Sequence, residues 1–343
     1  MKTDGILDDT PGYADRVLGC LLGTMAGDAQ GLLRSAGRDS SASVDHRGPV
    51  VVSDATQLTL YTVDGLVDAL EWANDGVAAD ETACLWLAYL RWLVRQGKAI
   101  PSNAPAPPPR WIDRQEDILP VADPDADTVR ALLTGEMSTR SRPLNLQASG
   151  PGALMRSAPF GLIPRIPASM VERLTIDAAT LTHGSAQARR SAAIYSTVIR
   201  ALAVEGAGLD AALAAAAAGQ LDAGNRVGTE PADDDGAHDD GRTAGHDGGT
   251  ATASGTLAAA LRAVSVGAAA SPHARNQFDA AVALAADADG GGASPAIAAS
   301  LAGGIVGALH GTDALPTGLL SASGVPAVVR EMARSLVAAT TGT

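Results

Sequence analysis

Gly19-Cys-Leu-Leu-Gly-Thr-Met-Ala-Gly-Asp-Ala-Gln-Gly31 is the stretch on which the fold class turns. Its first half continues a helical pattern that starts at Tyr13 and sets Val17, Leu18, Leu21 and Leu22 on one face. Its small residues allow another helix to come close and then allow the chain to turn, so the pattern predicts a helix over 13–25 followed by a turn in 26–31. The same lack of bulk runs through the whole chain of 343 residues, 46% hydrophobic but only 3% aromatic, with its apolar mass in Ala, Leu and Val. Such a composition favours closely packed helices over sheets, and no repeat of fixed period points to a solenoid.

Working outward, residues 34–49 are polar and rich in Gly and Ser and read as a loop delivering the chain to Ser53. Ser53 can cap a second helix, in which Leu60, Val63, Val67 and Leu70 recur at steps of three and four until Asn74-Asp-Gly stops it. Asp54 then lies in the first turn. A third helix is expected over 81–95, carrying Leu85, Trp86, Leu90 and Leu93. Prolines between Pro101 and Pro109 forbid regular structure. Residues 128–133 look helical, Gly150-Pro-Gly152 is a tight loop, and Ala188, Ala192, Tyr195, Ile199 and Leu202 form a helical stripe after Thr182-His183-Gly184.

Residues 224–256 break this rhythm. They lack large apolar groups, carry Asp233-Asp-Asp235 and Asp239-Asp240, and read as a disordered acidic insertion. His238 and His246 within it read as solvated rather than metal-binding. The formal net charge of −13 argues against a surface that grips duplex nucleic acid through phosphates. A nucleotide-sized anion held by backbone amides stays open. Cys20 and Cys84 form no disulfide framework and fit a reducing cytoplasmic setting. The acidic N-terminus lacks an export signal, and the longest apolar run, 296–309, is shorter than the roughly 20 residues of a membrane span, so a soluble protein is expected.

Five segments, in order, resemble the ADP-ribosylglycohydrolase family. They are 19–31, Ser53-Asp-Ala-Thr-Gln-Leu-Thr-Leu60, Gly150-Pro-Gly-Ala-Leu-Met-Arg-Ser-Ala-Pro159, Thr182-His-Gly184, and the small-residue stretch 298–311. The resemblance implies a compact, single-domain, all-α fold over 1–343, with a cleft that holds two divalent ions, magnesium or manganese, and cleaves ADP-ribose from an adduct. Two hard cations need several oxygen ligands, and carboxylates at helix starts supply them.

The resemblance also assigns roles. Ser53, Asp54 and Thr56 stand where the family has a Thr/Ser-Asp-Asp-Thr metal turn, with Ala55 replacing the second acid. Counting back from Gly303 without gaps puts Ser294 and Ala296 at the two acids of the family's other metal turn. Asp287 and Asp289 could replace them if 290–296 is an insertion, and Asp39 and Asp45 are the acids available where the family has one after the first helix. Ser149, Gly150 and Gly152 match the loop whose amides meet the pyrophosphate. His183 and Gly184 match a ligand-proximal turn, although a helix-capping histidine is the alternative. Asp28 matches a Gly-Asp pair that orients the site or caps a turn, and Arg156 is expected to hold the loop by pairing with an acid.

The leading expectation is therefore a divergent member with a degenerate metal site, little or no hydrolase activity, no bound cofactor and an ADP-ribose-like ligand. No catalytic residue is assigned. Two alternatives remain: an active ADP-ribosyl hydrolase using magnesium or manganese in a single or rearranged site, and a non-catalytic module for a protein partner.

Overall fold

Four helices start at a short polar residue whose side chain caps them. Ser53 Oγ accepts from the amide of Ala55 at 3.0 Å, Asp80 from that of Ala83 at 3.0 Å, Asp125 from that of Thr128 at 2.8 Å and Thr252 from that of Gly255 at 3.1 Å. A computed structural model describes residues 11–37, 50–227, 251–288 and 292–342, with the side chains of 219–227 left aside. Among the described residues there are twelve α-helices and no strand. They are α1 Tyr13–Ser35, α2 Asp54–Asn74, α3 Glu81–Arg95, α4 Ala126–Leu133, α5 Ala158–Gly161, α6 Ala168–Thr180, α7 Ala186–Ala203, α8 Leu209–Val227, α9 Ala253–Ala270, α10 Ala274–Ala286, α11 Pro295–His310 and α12 Val325–Thr341.

At the centre α1 and α11 lie antiparallel with their backbones in contact. A Cβ added at Gly19 would overlap the backbone of Gly307, at Gly23 that of Gly303, at Gly27 that of Ala299 and at Gly31 that of Ala296. These steps of four bring one edge of each helix against the other, and Ser300 Oγ bridges the seam to the Thr24 carbonyl at 3.1 Å. The expected turn at 26–31 is thus corrected: α1 continues to Ser35, and its glycines serve packing. Glycine weakens a helix by about 1 kcal/mol relative to alanine, but here the close approach that it permits decides the outcome. One apolar cluster extends from this seam through α2, α3, α7, α9, α10 and α12.

The expected second and third helices fall where α2 and α3 lie, residues 101–110 carry no helix, and α4 begins at Ala126. The stripe Ala188, Ala192, Tyr195, Ile199 and Leu202 is buried in α7. At the edges of the expected insertion, 224–227 end α8 and 253–256 begin α9; the acids between them, with His238 and His246, lie outside the described residues. The stretches Ala253–Ala270 and Pro295–Ala314 are long and apolar enough to cross a membrane, but 67% of the latter is buried inside the protein. Both cysteines are free, and burial pushes their thiols up to about 12 for Cys20 and about 11 for Cys84, which leaves them unreactive.

Candidate functional site

The start of α2 is held from α1 by one carboxylate. Asp28 has no exposed surface, and its oxygens accept from Ser53 N at 2.9 Å, Ser53 Oγ at 2.6 Å, Thr56 N at 3.3 Å and Thr56 Oγ1 at 2.5 Å. Burial raises its carboxyl above the ordinary range, against the pull of these four donors. Asp28 therefore ties α2 to α1, and its oxygens are occupied by protein groups. The hydroxyls of Ser53 and Thr56 both donate to it, and Ser53 Oγ also receives the Ala55 amide.

One residue on, Asp54 points the other way. It is 8% exposed, and its Oδ2 accepts from the Asp125 amide at 2.6 Å. Burial, together with the charges of Asp125 and Asp28, pushes its carboxyl up to about 7 despite that bond. Asp125 caps α4 and leans against Gly152, where any Cβ would overlap its carboxylate. Gly150 lies beside Asp127, whose Oδ2 is 3.9 Å from where a Cβ of Gly150 would stand. Ser149 fastens the other side of this loop, its carbonyl accepting from the Ala253 amide at 2.8 Å. Among the described residues nothing accepts from the amides of Gly150 or Gly152.

His183 approaches the same group from the turn before α7. Arg156 Nη2 donates to Thr182 Oγ1 at 2.7 Å, and the same hydroxyl shares a hydrogen bond with His183 Nδ1 at 2.8 Å. The other ring nitrogen, Nε2, has no hydrogen-bond partner and faces Asp125 Oδ2 at 3.6 Å. Burial, only partly offset by Asp125, lowers its pKa to about 4, so the ring is neutral near pH 7. Gly184 has no room for a Cβ beside the Leu144 carbonyl, and its amide bonds to Asn145 O at 3.1 Å. Arg156 does not pair with an acid as expected. Its guanidinium reaches the hydroxyls of Thr182 and, at 3.3 Å, of Thr128, and lies 4.3 Å over the Tyr89 ring.

The site thus joins the Ser53–Thr56 turn, the Ser149–Gly152 loop and the His183–Gly184 turn, which are far apart in sequence. The family profile for ADP-ribosylglycohydrolases matches residues 9–343. The chain belongs to the ADP-ribosylglycohydrolase family. Among solved structures, a chain of an "ADP-ribosylglycohydrolase-related protein complex" is similar with a TM-score of 0.59 at 22% identity, over 96% of this chain and 99% of that one, a likeness of fold. No curated protein sequence matches the chain.

The resemblance implies a pair of divalent ions, and among the described residues those at the two expected turns do not fit a pair. At the α2 turn Asp54 is the one carboxylate facing the loop, because Ala55 has none and Asp28 is spent. At the start of α11, Ser294 and Ala296 bear no charge, and Ala296 is pressed against Gly31. Asp287 caps the end of α10 and pairs with Arg34 at the surface. Asp289, Asp39 and Asp45 lie outside the described residues. Among the described residues no three His, Cys, Asp or Glu side chains converge as a bound ion requires.

Sequence reasoning missed Asp125 and Asp127. The signal was present in Asp125-x-x-Thr128, an N-cap pattern, but capping alone does not show that the cap also faces Asp54 and His183.

Proposed function

We propose that this chain is an ADP-ribosylglycohydrolase-family protein that binds an ADP-ribose-like ligand and has lost the two-ion chemistry of hydrolysis. The observation that carries the reading is the absence of acids at Ala55, Ser294 and Ala296, beside a loop whose Gly150 and Gly152 amides have no acceptor among the described residues. With Ala55, Ser294 and Ala296 at positions where the resemblance puts carboxylates, Asp54 is what those two turns contribute toward a cation. Among the described residues the amides of Gly150, partly exposed, and Gly152, buried, have no acceptor, and the buried, neutral His183 imidazole has no partner at Nε2; phosphate and ribose oxygens are the groups that would supply them. Asp125 and Asp127 flank that loop, so a phosphate must be met from the amide side and at some electrostatic cost.

One observation favours a second reading, an active hydrolase with a single ion. Burial, and after it the charges of Asp125 and Asp28, raise the Asp54 carboxyl above its ordinary range, and a cation would offset both. Calorimetric titration of ADP-ribose, with excess magnesium and again with a chelator, separates the two. Equal binding in both supports the metal-free reading; binding that requires magnesium, followed by release of ADP-ribose from a modified substrate, overturns it. Absence of binding in both overturns it in favour of a protein-interaction role.

A further inference from the structure

Asp125 reaches the candidate site at the end of residues 119–125, an extended segment that lies over the starts of α2 and α4 with Leu119, Pro120, Ala122 and Asp123 exposed. Among the described residues the main chain of 119–124 makes no hydrogen bond to other main chain. Side chains hold the segment instead, at three points. Gln57 Nε2 donates to the Leu119 carbonyl at 2.6 Å, Gln96 Oε1 accepts from the Val121 amide at 2.9 Å, and Asp54 Oδ2 accepts from the Asp125 amide at 2.6 Å.

Asp54 and Gln57 stand three residues apart on α2 and so share a face. Gln96 caps the end of α3 and is tied to Gln57, whose Oε1 accepts from Gln96 Nε2 at 2.9 Å and from Trp92 Nε1 at 3.2 Å. A buried amide is unfavourable unless its hydrogen bonds are made. Those of Gln57, 1% exposed, are made to the segment and to the residues that hold it.

The far end of the segment carries charge. Both carboxylate oxygens of Asp125 lie where a Cβ of the buried Gly152 would meet them, and Oδ2 stands 3.6 Å from His183 Nε2. We infer that 119–125 is a strap that keeps the Asp125 carboxylate closed against the Gly150–Gly152 loop, and that Gln57 and Gln96 are positioning residues that set it there. The inference rests on the ADP-ribose reading for the identity of the anion that the strap opposes. A phosphate approaching the Gly152 amide meets the Asp125 carboxylate, and like charges repel strongly away from water. Release of the strap moves that charge aside, whereas the loop itself stays fixed by the Ser149 carbonyl on the Ala253 amide and the Pro151 carbonyl on the Met155 amide.

The test uses the full chain with two cuts in the strap. Gln96→Ala removes a half-buried side chain and leaves the Val121 amide to water. Gln57→Glu keeps the acceptor for Trp92 and Gln96 but loses the donor to Leu119. Two readouts are taken for each: the His183 ring signals by NMR without ligand, assigned with His183→Gln, and the affinity for ADP-ribose by calorimetry with a chelator. Both cuts are expected to move the His183 signals in the direction in which Asp125→Asn moves them, and to raise affinity up to the gain of about threefold given by Asp125→Asn. In an Asp125→Asn background Gln96→Ala should add nothing, because the charge that it releases is already gone. A general loosening of the fold would instead weaken binding in both backgrounds, and that result overturns the inference. So do His183 signals that stay in place, or an affinity unchanged by either cut in a chain that binds. Signals that move while no variant binds ADP-ribose support the positioning role and overturn the ADP-ribose reading alone.

Discussion

The seam between α1 and α11 and the turn at the start of α2 meet along α1, and they keep order by opposite means. In the seam, backbone presses on backbone with no charge involved, and each small residue is required because nothing larger fits. At the turn, contact is polar, and the acids differ in how well they are served. Asp28 receives four hydrogen bonds, whereas Asp54 receives one from Asp125 and lies close to other carboxylates. Asp28, which holds α2 to α1, is fully partnered. Groups facing the candidate site, Asp54 and His183 Nε2, are not, as is usual where a ligand would complete the environment.

The most severe way to break the comparison is in the seam. Gly27→Val places a branched side chain into the Ala299 backbone and is expected to cost about 4 kcal/mol or to prevent folding, beyond the range for ordinary overpacking. Chemical denaturation, or the yield of folded protein, measures it. Asp28→Ala removes the acceptor for four donors and should destabilise by about 3 kcal/mol. Asp28→Asn, which keeps one acceptor oxygen, should cost less in the same denaturation assay.

The acids of the turn also predict how stability changes with pH in the presence of a chelator. Asp54 titrates at about 7 in the folded chain against 3.8 for a free carboxyl, so the folded state holds the extra proton and stability falls as pH rises from about 4 to 7. His183 titrates at about 4 against 6.5, so the unfolded state binds the extra proton and stability rises with pH across 4 to 6.5. In the wild type the two oppose each other. Asp54→Asn should leave the rising His183 contribution and gain about 2 kcal/mol at pH 8, and His183→Gln should leave the falling Asp54 contribution. Taking the difference from wild type removes the effect of Asp28 and Asp64, whose carboxyls burial also raises. A pH profile of the denaturation midpoint in which either variant parallels wild type would contradict this account.

The smallest expected effect sharpens the site. Asparagine caps a helix as well as aspartate, so Asp125→Asn should keep α4 and relieve the negative charge beside Gly152. ADP-ribose affinity is then expected to rise about threefold, a fraction of a kcal/mol, as read by the calorimetric titration.

Much of the helical order was legible because its signals are local. Ser53 as a cap and the three- and four-residue spacing of Leu60, Val63, Val67 and Leu70 are features of adjacent residues, and α2 runs from Asp54 to Asn74 as they imply. Gly27 and Gly31 were misread because glycine weakens a helix in isolation, and the helix that rewards it, α11, lies more than 260 residues further along. The site was legible in part for the same reason. Asp54, Gly150, Gly152 and His183 stand in recognisable short motifs, whereas Asp125 reads as an ordinary cap until the chain brings it against three of them.

By itself the sequence determined the all-helical class, the family, and the absence of carboxylates at Ala55, Ser294 and Ala296, because composition, motif order and residue identity need no third dimension. Tertiary structure alone decided that Asp28 is spent on α2, that Asp287 pairs with Arg34, and that Asp54 shares its surroundings with Asp125 and His183. Each of these is a matter of which charges and donors end within a few ångströms of one another. Coulomb and hydrogen-bond energies depend on that separation and on burial, which the order of residues along the chain does not express.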